Sequence, residues 1–212
     1  MASEHLNRAT RGLTVRSNLV RDCLMGGFFI GGYDESTTGS AEGCKITHNT
    51  FIDNDTVPAS DEYGQVYLQY RVKNCVFANN LMSHGITKGG VYNTFIIQWN
   101  TTGSGNQFEN NLFYGPDTPV WGLNNSWLEG WADYQGASEN SGDGWGVPLL
   151  SIDYVPGLGS PAVDAGKASW FGVGERDYRG NIRPVLGPDC GSVERGGVTL
   201  LAPEPFFQLS GG

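Results

Sequence analysis

Val15-Arg16-Ser17-Asn18-Leu19-Val20, Ile46-Thr47-His48-Asn49-Thr50-Phe51, Phe77-Ala78-Asn79-Asn80-Leu81-Met82 and Phe108-Glu109-Asn110-Asn111-Leu112-Phe113 are one pattern written four times. The asparagines at 18, 49, 80 and 111 follow one another at intervals of 31 residues. In each copy an apolar residue stands three before the asparagine and another two after it. A strand that alternates inward and outward, bends, and leaves with its inward residue restored produces that spacing; a helical heptad does not.

A second apolar run follows each of the first three bends, at Phe28-Phe29-Ile30, Val66-Tyr67-Leu68 and Phe95-Ile96-Ile97, so each repeat holds at least two strands. Their third residues are aligned with one another in this reading, and the loops around them differ in length. Parallel strands require long crossovers, and a solenoid that climbs one strand spacing per turn supplies them while stacking equivalent residues. The expected fold is therefore all-β, a right-handed parallel β-helix of about four coils of 31 residues with an irregular C-terminal capping segment. Residues 1–117 form the coils, and 118–212 form the last coil or coils and the cap.

An asparagine at a bend suits stacking, because it tolerates left-handed backbone angles and its amide both donates and accepts along the column. Asn18, Asn49, Asn80 and Asn111 are accordingly read as a structural ladder. The same register sets Cys44 over Cys75 as stacked core thiols, a poor geometry for a disulfide. With Cys23 and Cys190, these cysteines form no CxxC pair and have no histidine at zinc spacing.

Composition agrees with the repeat. Glycine makes up 32 of 212 residues, about twice the usual share, and charged residues are scarce at 17%. The net charge of −9 argues against DNA or RNA as a main partner. Residues 1–88 hold eight of the thirteen Lys and Arg, whereas 89–166 hold none. The polar start lacks the apolar stretch of a signal peptide and no run of 18 apolar residues occurs, so no membrane partner is expected.

The coils, with Gly26-Gly27-Phe28-Phe29-Ile30-Gly31-Gly32-Tyr33 and the Asn-Asn-Leu bends, resemble the pectate-lyase-like superfamily over roughly residues 10–117. Farther on, Ser160-Pro161-Ala162-Val163-Asp164-Ala165-Gly166, Asp177, Gly180, Arg183-Pro184 and Asp189-Cys190-Gly191-Ser192-Val193-Glu194 resemble the closing segment of secreted bacterial β-helix proteins of the choice-of-anchor type. Cys190 and Ser192 depart from the usual Ile and Ala. The resemblance implies a secreted, extracellular carbohydrate-active protein, a polysaccharide lyase or glycoside hydrolase. The alternatives are a glycan-binding or surface-attachment β-helix that does no chemistry, or the C-terminal part of a longer enzyme.

The last coil exposes a strand edge and an open core, so the stretch from Pro116 onward is expected to plug it. Asp164, Arg183 and Asp189 are expected to pair within it. The first coil has no evident cap, which suggests further coils upstream or self-association through that end.

Aligning coils by their asparagines brings Asp22, Asp53 and His84 into one column, the candidate catalytic group. Adjacent carboxylates raise one another's pKa and can divide into proton donor and base, with an imidazole alongside. The plainer reading is that Asp22 and Asp53 cap turns. A lyase would also use cations beside a uronate carboxylate: Arg16 and Lys45 at outward parity are the candidates, with Arg71, Lys73 and Lys88 available. No cofactor is expected; Asp53-Asn54-Asp55 leaves Ca2+ possible. Trp121, Trp127 and Trp131 offer flat faces for sugar rings, or else plug the solenoid. Tyr67, Tyr70 and Trp99 are expected on lateral faces.

Overall fold

A computed structural model describes residues 8–56, 63–84, 93–98, 103–115, 119–170, 174–184 and 187–196. Lys88, Trp99 and the first seven residues lie outside them.

Each of the first three coils contributes four short strands. Coil one holds β1 (Ala9–Arg11), β2 (Thr14–Arg16), β3 (Leu19–Arg21) and β4 (Phe28–Ile30), and coil two β5 (Ser40–Glu42), β6 (Lys45–Thr47), β7 (Thr50–Ile52) and β8 (Val66–Leu68). Coil three holds β9 (Val72–Lys73), β10 (Val76–Ala78), β11 (Leu81–Ser83) and β12 (Asn93–Gln98). Coil four adds β13 (Gln107–Glu109), β14 (Leu112–Tyr114) and β15 (Pro119–Leu123). After β16 (Ser126–Glu129) and the short α1 (Trp131–Gln135), β17 (Asn140–Ser141) and β18 (Gly144–Trp145) begin a fifth turn.

Four parallel sheets result. Sheet A is β1-β5-β9, sheet B is β2-β6-β10-β13-β17, sheet C is β3-β7-β11-β14-β18, and sheet D is β4-β8-β12-β15 with β16 antiparallel on its edge. The chain is thus an all-β parallel solenoid of about four turns. The repeat sets the register: Val15, Ile46, Phe77, Phe108 and Asn140 pair in succession across sheet B.

The asparagine ladder is present and directional. Asn18, Asn49 and Asn80 each donate their backbone N–H and Nδ2 to Oδ1 of the asparagine one coil on, at 2.9–3.1 Å. From Asn49 onward, Nδ2 also reaches a carbonyl of the preceding coil, as Asn80 does to Ile46 at 2.9 Å. The left-handed residue of each bend, however, is the one before the ladder asparagine: Ser17, His48, Asn79 and Asn110 have φ of 52–56°. Those side chains turn outward while the ladder amides turn in.

A fifth rung escaped the sequence reading. Asn111 donates its N–H and Nδ2 to Oδ1 of Asp143, at 2.6 and 3.0 Å, and Tyr134 donates its hydroxyl to Oδ2 at 2.6 Å. A carboxylate serves here because all three neighbours are donors and the amide pattern stops. Burial lifts the Asp143 pKa to about 7, the three donors opposing the rise. The folded protein therefore holds a proton that the unfolded chain releases near its ordinary value of 3.8. Stability from this group is full below that value and is lost as pH rises through about 7. Asp143→Asn should then stabilise the protein at pH 8 by a few kcal/mol and do much less at pH 5. Urea unfolding at the two pH values measures this, and an equal effect at both would contradict it.

Side chains inside the coil grow toward this end. Sheet C runs Val20, Phe51, Met82, Phe113, Trp145 across its core face. Trp121 stacks on Tyr134 at 4.3 Å and on Phe95 at 5.2 Å between ring centroids. These rings, with Trp131 packed against them, close the far end of the core. Cys44 and Cys75 stack as free, buried thiols, the Cys44 N–H lying 3.4 Å from the Cys75 sulfur.

One expectation is corrected. In sheet D, Val66-Tyr67-Leu68 pairs with Ile96-Ile97-Gln98, one residue later than aligned from sequence. Against β15 the β12 register shifts between Thr94 and Ile96, and the residue inserted there is Phe95. In the C-terminal segment, residues 119–145 close the core, whereas the described residues 160–170, 174–184 and 187–195 lie lengthwise as a strap over the corner between sheets B and C.

The strap holds every coil it crosses. Ser17 donates to the Arg176 carbonyl at 3.0 Å, and Thr50 Oγ1 accepts from the Ser192 N–H at 2.8 Å. Asn79 exchanges two hydrogen bonds with the Lys167 backbone, and the Trp170 indole donates to Glu109 at 3.0 Å. Gly191, at φ +99°, lies so close that a Cβ there would fall 2.7 Å from Thr50 Oγ1. Within the strap, Arg183 ion-pairs with Glu194, not with the aspartates, and both side chains are buried. Asp189 accepts from the backbone N–H groups of Asp164 and Arg195.

Candidate functional site

The strap occupies one corner, which determines how the sequence-derived candidates sit. Arg16 forms an ion pair with Glu175 of the strap, and the Lys45 ammonium lies 5.8 Å from the Trp170 ring centroid. Both cations point outward as expected, but both serve to hold the strap.

Asp22, Asp53 and His84 share a backbone column, their N–H groups donating to the Ile52, Ser83 and Tyr114 carbonyls. Their side chains part. Asp22 and Asp53 have left-handed φ of 56° and 49°; Asp22 is exposed and pairs with Arg21 at 3.0 Å, and Asp53 is half-buried. His84 is not among the left-handed residues, and only 2% of it is exposed. Its ring lies over Phe95 at 5.0 Å and contacts the Gln65 amide at 3.1 Å and the Thr94 carbonyl at 2.8 Å. The column therefore has Asp22 exposed, Asp53 half-buried and the imidazole of His84 inside.

Oxygens of the Asp53-Asn54-Asp55 stretch are engaged by the protein. Asn54 is fully buried, its Oδ1 accepting from the Cys23 N–H, and Asp55 accepts from the Tyr63 and Gly64 N–H groups. Among the described residues no three of His, Cys, Asp and Glu gather in a way that could hold a metal ion.

The tryptophans separate as well. Trp121 is fully buried and Trp131 half-buried, both in the aromatic plug, whereas Trp127 is 46% exposed. Trp127 pairs across the antiparallel edge with Gly122, which belongs to the outward column of sheet D. That column reads Phe29, Tyr67, Ile97, Gly122, Trp127. Phe29 and Tyr67 are half-buried, their centroids 5.8 Å apart, and Tyr63 packs on both at 5.5 and 6.1 Å. Tyr67 thus lies on the lateral face as expected, and half-buried Tyr70 follows at the corner, bridged to Gly32. Sequence spacing alone hid the column, because the one-residue shift in β12 moves Ile97 from the core face to the outer face.

Neither a family model nor a solved structure matches this sequence. A curated relative, the Bacillus subtilis protein named uncharacterized protein YwoF, is 26% identical over 140 residues. The match covers 65% of this chain and 28% of that protein, so this chain spans well under half the length of the relative.

Proposed function

We propose that the protein is an extracellular glycan-binding β-solenoid that grips polysaccharide on the outer face of sheet D. One observation carries this reading: strand register aligns Phe29 and Tyr67, half-buried and with Tyr63 beside them, in the same outward column as the exposed Trp127, with the buried Ile97 and Gly122 between, on a sheet whose other face fills the core. Aromatic faces stack on the apolar faces of sugar rings, and the strand spacing of about 4.8 Å repeats on the scale of successive sugars in an extended chain.

Affinity electrophoresis in gels containing neutral and acidic polysaccharides tests it. At least one glycan should retard the protein, and Trp127→Ala or Tyr67→Ala should weaken retention by about tenfold, the loss of ~1.4 kcal/mol of stacking. Unchanged migration in every gel, or full retention by both variants, would refute the proposal.

Cleavage, as by a lyase or glycoside hydrolase, is the second reading, favoured by Asp22 and Asp53 standing on adjacent coils in one backbone column. It requires released reducing ends or unsaturated products that Asp53→Ala abolishes. With His84 inside, binding without cleavage is the reading the geometry favours.

A further inference from the structure

Sheet A carries a feature that the glycan reading does not use. Its three strands place Arg11, Glu42 and Lys73 side by side, each 31 residues from the next. Arg8 and Arg71 stand at the entries of the two outer strands, their carbonyls accepting from the Ser40 and Ala41 N–H groups. At its entry the middle strand supplies only Gly39 and Ser40. Small residues thus floor a depression of about 160 Å³, rimmed by cations from the coil on either side.

The charge balance is unusual for this chain. Four cations surround one carboxylate in a molecule whose net charge is −9. Glu42 is held ionised by the Ser40 hydroxyl and the Arg11 guanidinium, so the depression carries a net charge of +3 at neutral pH. Arg11 is committed to Glu42, its Nε donating at 2.9 Å. Arg71 spends one N–H on the Thr38 carbonyl at 2.8 Å, which fixes its guanidinium over the site and leaves donors to spare. Among the described residues Arg8 and Lys73 have no ion pair.

We propose that this depression binds a multiply charged oxyanion, a phosphate or sulfate group, with Arg8, Arg71 and Lys73 as its ligands and Ser40 at its floor. Guanidinium forks and an ammonium converging on one small volume match the planar and tetrahedral faces of such a group. Arg11 and Glu42 set the rim, and the single acid limits the affinity. The site is independent of the aromatic face and stands whether or not that face takes sugars.

Titration calorimetry of the whole protein with inorganic sulfate, phosphate and pyrophosphate at constant ionic strength provides the test. Pyrophosphate should bind more tightly than sulfate. Arg8→Ser with Lys73→Ser should weaken binding at least tenfold without lowering the unfolding midpoint. Glu42→Gln should tighten binding several-fold, whereas the same charge change at the remote exposed Glu129, as Glu129→Gln, should not.

Two further arms separate the sources of the group. Dextran sulfate binding far more tightly than free sulfate, and sensitive to Arg8→Ser/Lys73→Ser, would assign the site to an anionic polymer, with plain dextran as the blank. Equal affinity per sulfate would assign it to the small ion. Absence of binding to all of these anions, or wild-type affinity in the double variant, would overturn the site.

Discussion

Replacing Asn80 by alanine should lower the free energy of unfolding by about 3–5 kcal/mol, while the same change at Asn18 should cost under about 1 kcal/mol. The residue type and ladder are the same; the surroundings are not. Asn80 is fully buried, donates to Asn111 and to the Ile46 carbonyl, and accepts from the Asn49 N–H and Nδ2. Its removal leaves the buried Asn49 N–H without its acceptor and takes one partner each from Asn49 Nδ2, the Ile46 carbonyl and Asn111 Oδ1, where an unpaired group costs about 1–3 kcal/mol and the cavity left by the side chain adds to that. Asn18 begins the column, is exposed, and donates to Arg16 and Asn49 without supporting another rung among the described residues. Urea unfolding of the two variants decides the matter. Equal losses would mean that the coil is held by its apolar core and that the ladder is incidental.

The repeat was legible because a solenoid converts chain distance into height: one residue type returning every 31 positions has to stack. Cys44 over Cys75 followed from the same arithmetic. Asp143 was hidden because the last interval is 32 residues and the rung changes type. The pair Gly142-Asp143 still repeats the local logic, a residue with positive φ followed by an inward acceptor. The shift in β12 was invisible for a different reason. A bulge alters which face a side chain occupies without altering composition, and Phe95-Ile96-Ile97 is apolar in either register.

His84 shows where column arithmetic stops. Equal height on the solenoid fixes the backbone, but whether a side chain points out depends on the left-handed turn that Asp22 and Asp53 make and His84 does not. The strap was harder still to read, since many of its contacts join its backbone groups to the side chains of Ser17, Thr50 and Asn79. Its consequence for function is spatial. By covering the corner of sheets B and C it engages Arg16 and Lys45, and none of its contacts named above falls on the outer face of sheet D or of sheet A.

Arg183→Ala should cost about 3–5 kcal/mol at pH 8 and distinctly less at pH 5. The guanidinium is buried against Glu194, donates to the Gly191 carbonyl at 2.9 Å and reaches Ser17 at 3.4 Å, tying the strap to the first coil. Glu194 is already raised to about 7, burial outweighing the nearby Arg183 charge. Without the arginine its carboxylate keeps only the Asp189 N–H and the Glu194 pKa rises further. A carboxyl group with a raised folded pKa contributes stability that is full below its ordinary value, 4.5 here, and is lost as pH climbs through the folded value. In the variant that loss continues to higher pH, so the gap from wild type widens between pH 5 and 8. Arg183→Met with Glu194→Gln removes both charges and should recover most of the difference at pH 8. Unfolding midpoints of the three proteins at both pH values test the argument. A cost for Arg183→Ala that does not change with pH would show that the guanidinium acts through its hydrogen bonds to Gly191 and Ser17 and not by neutralising Glu194.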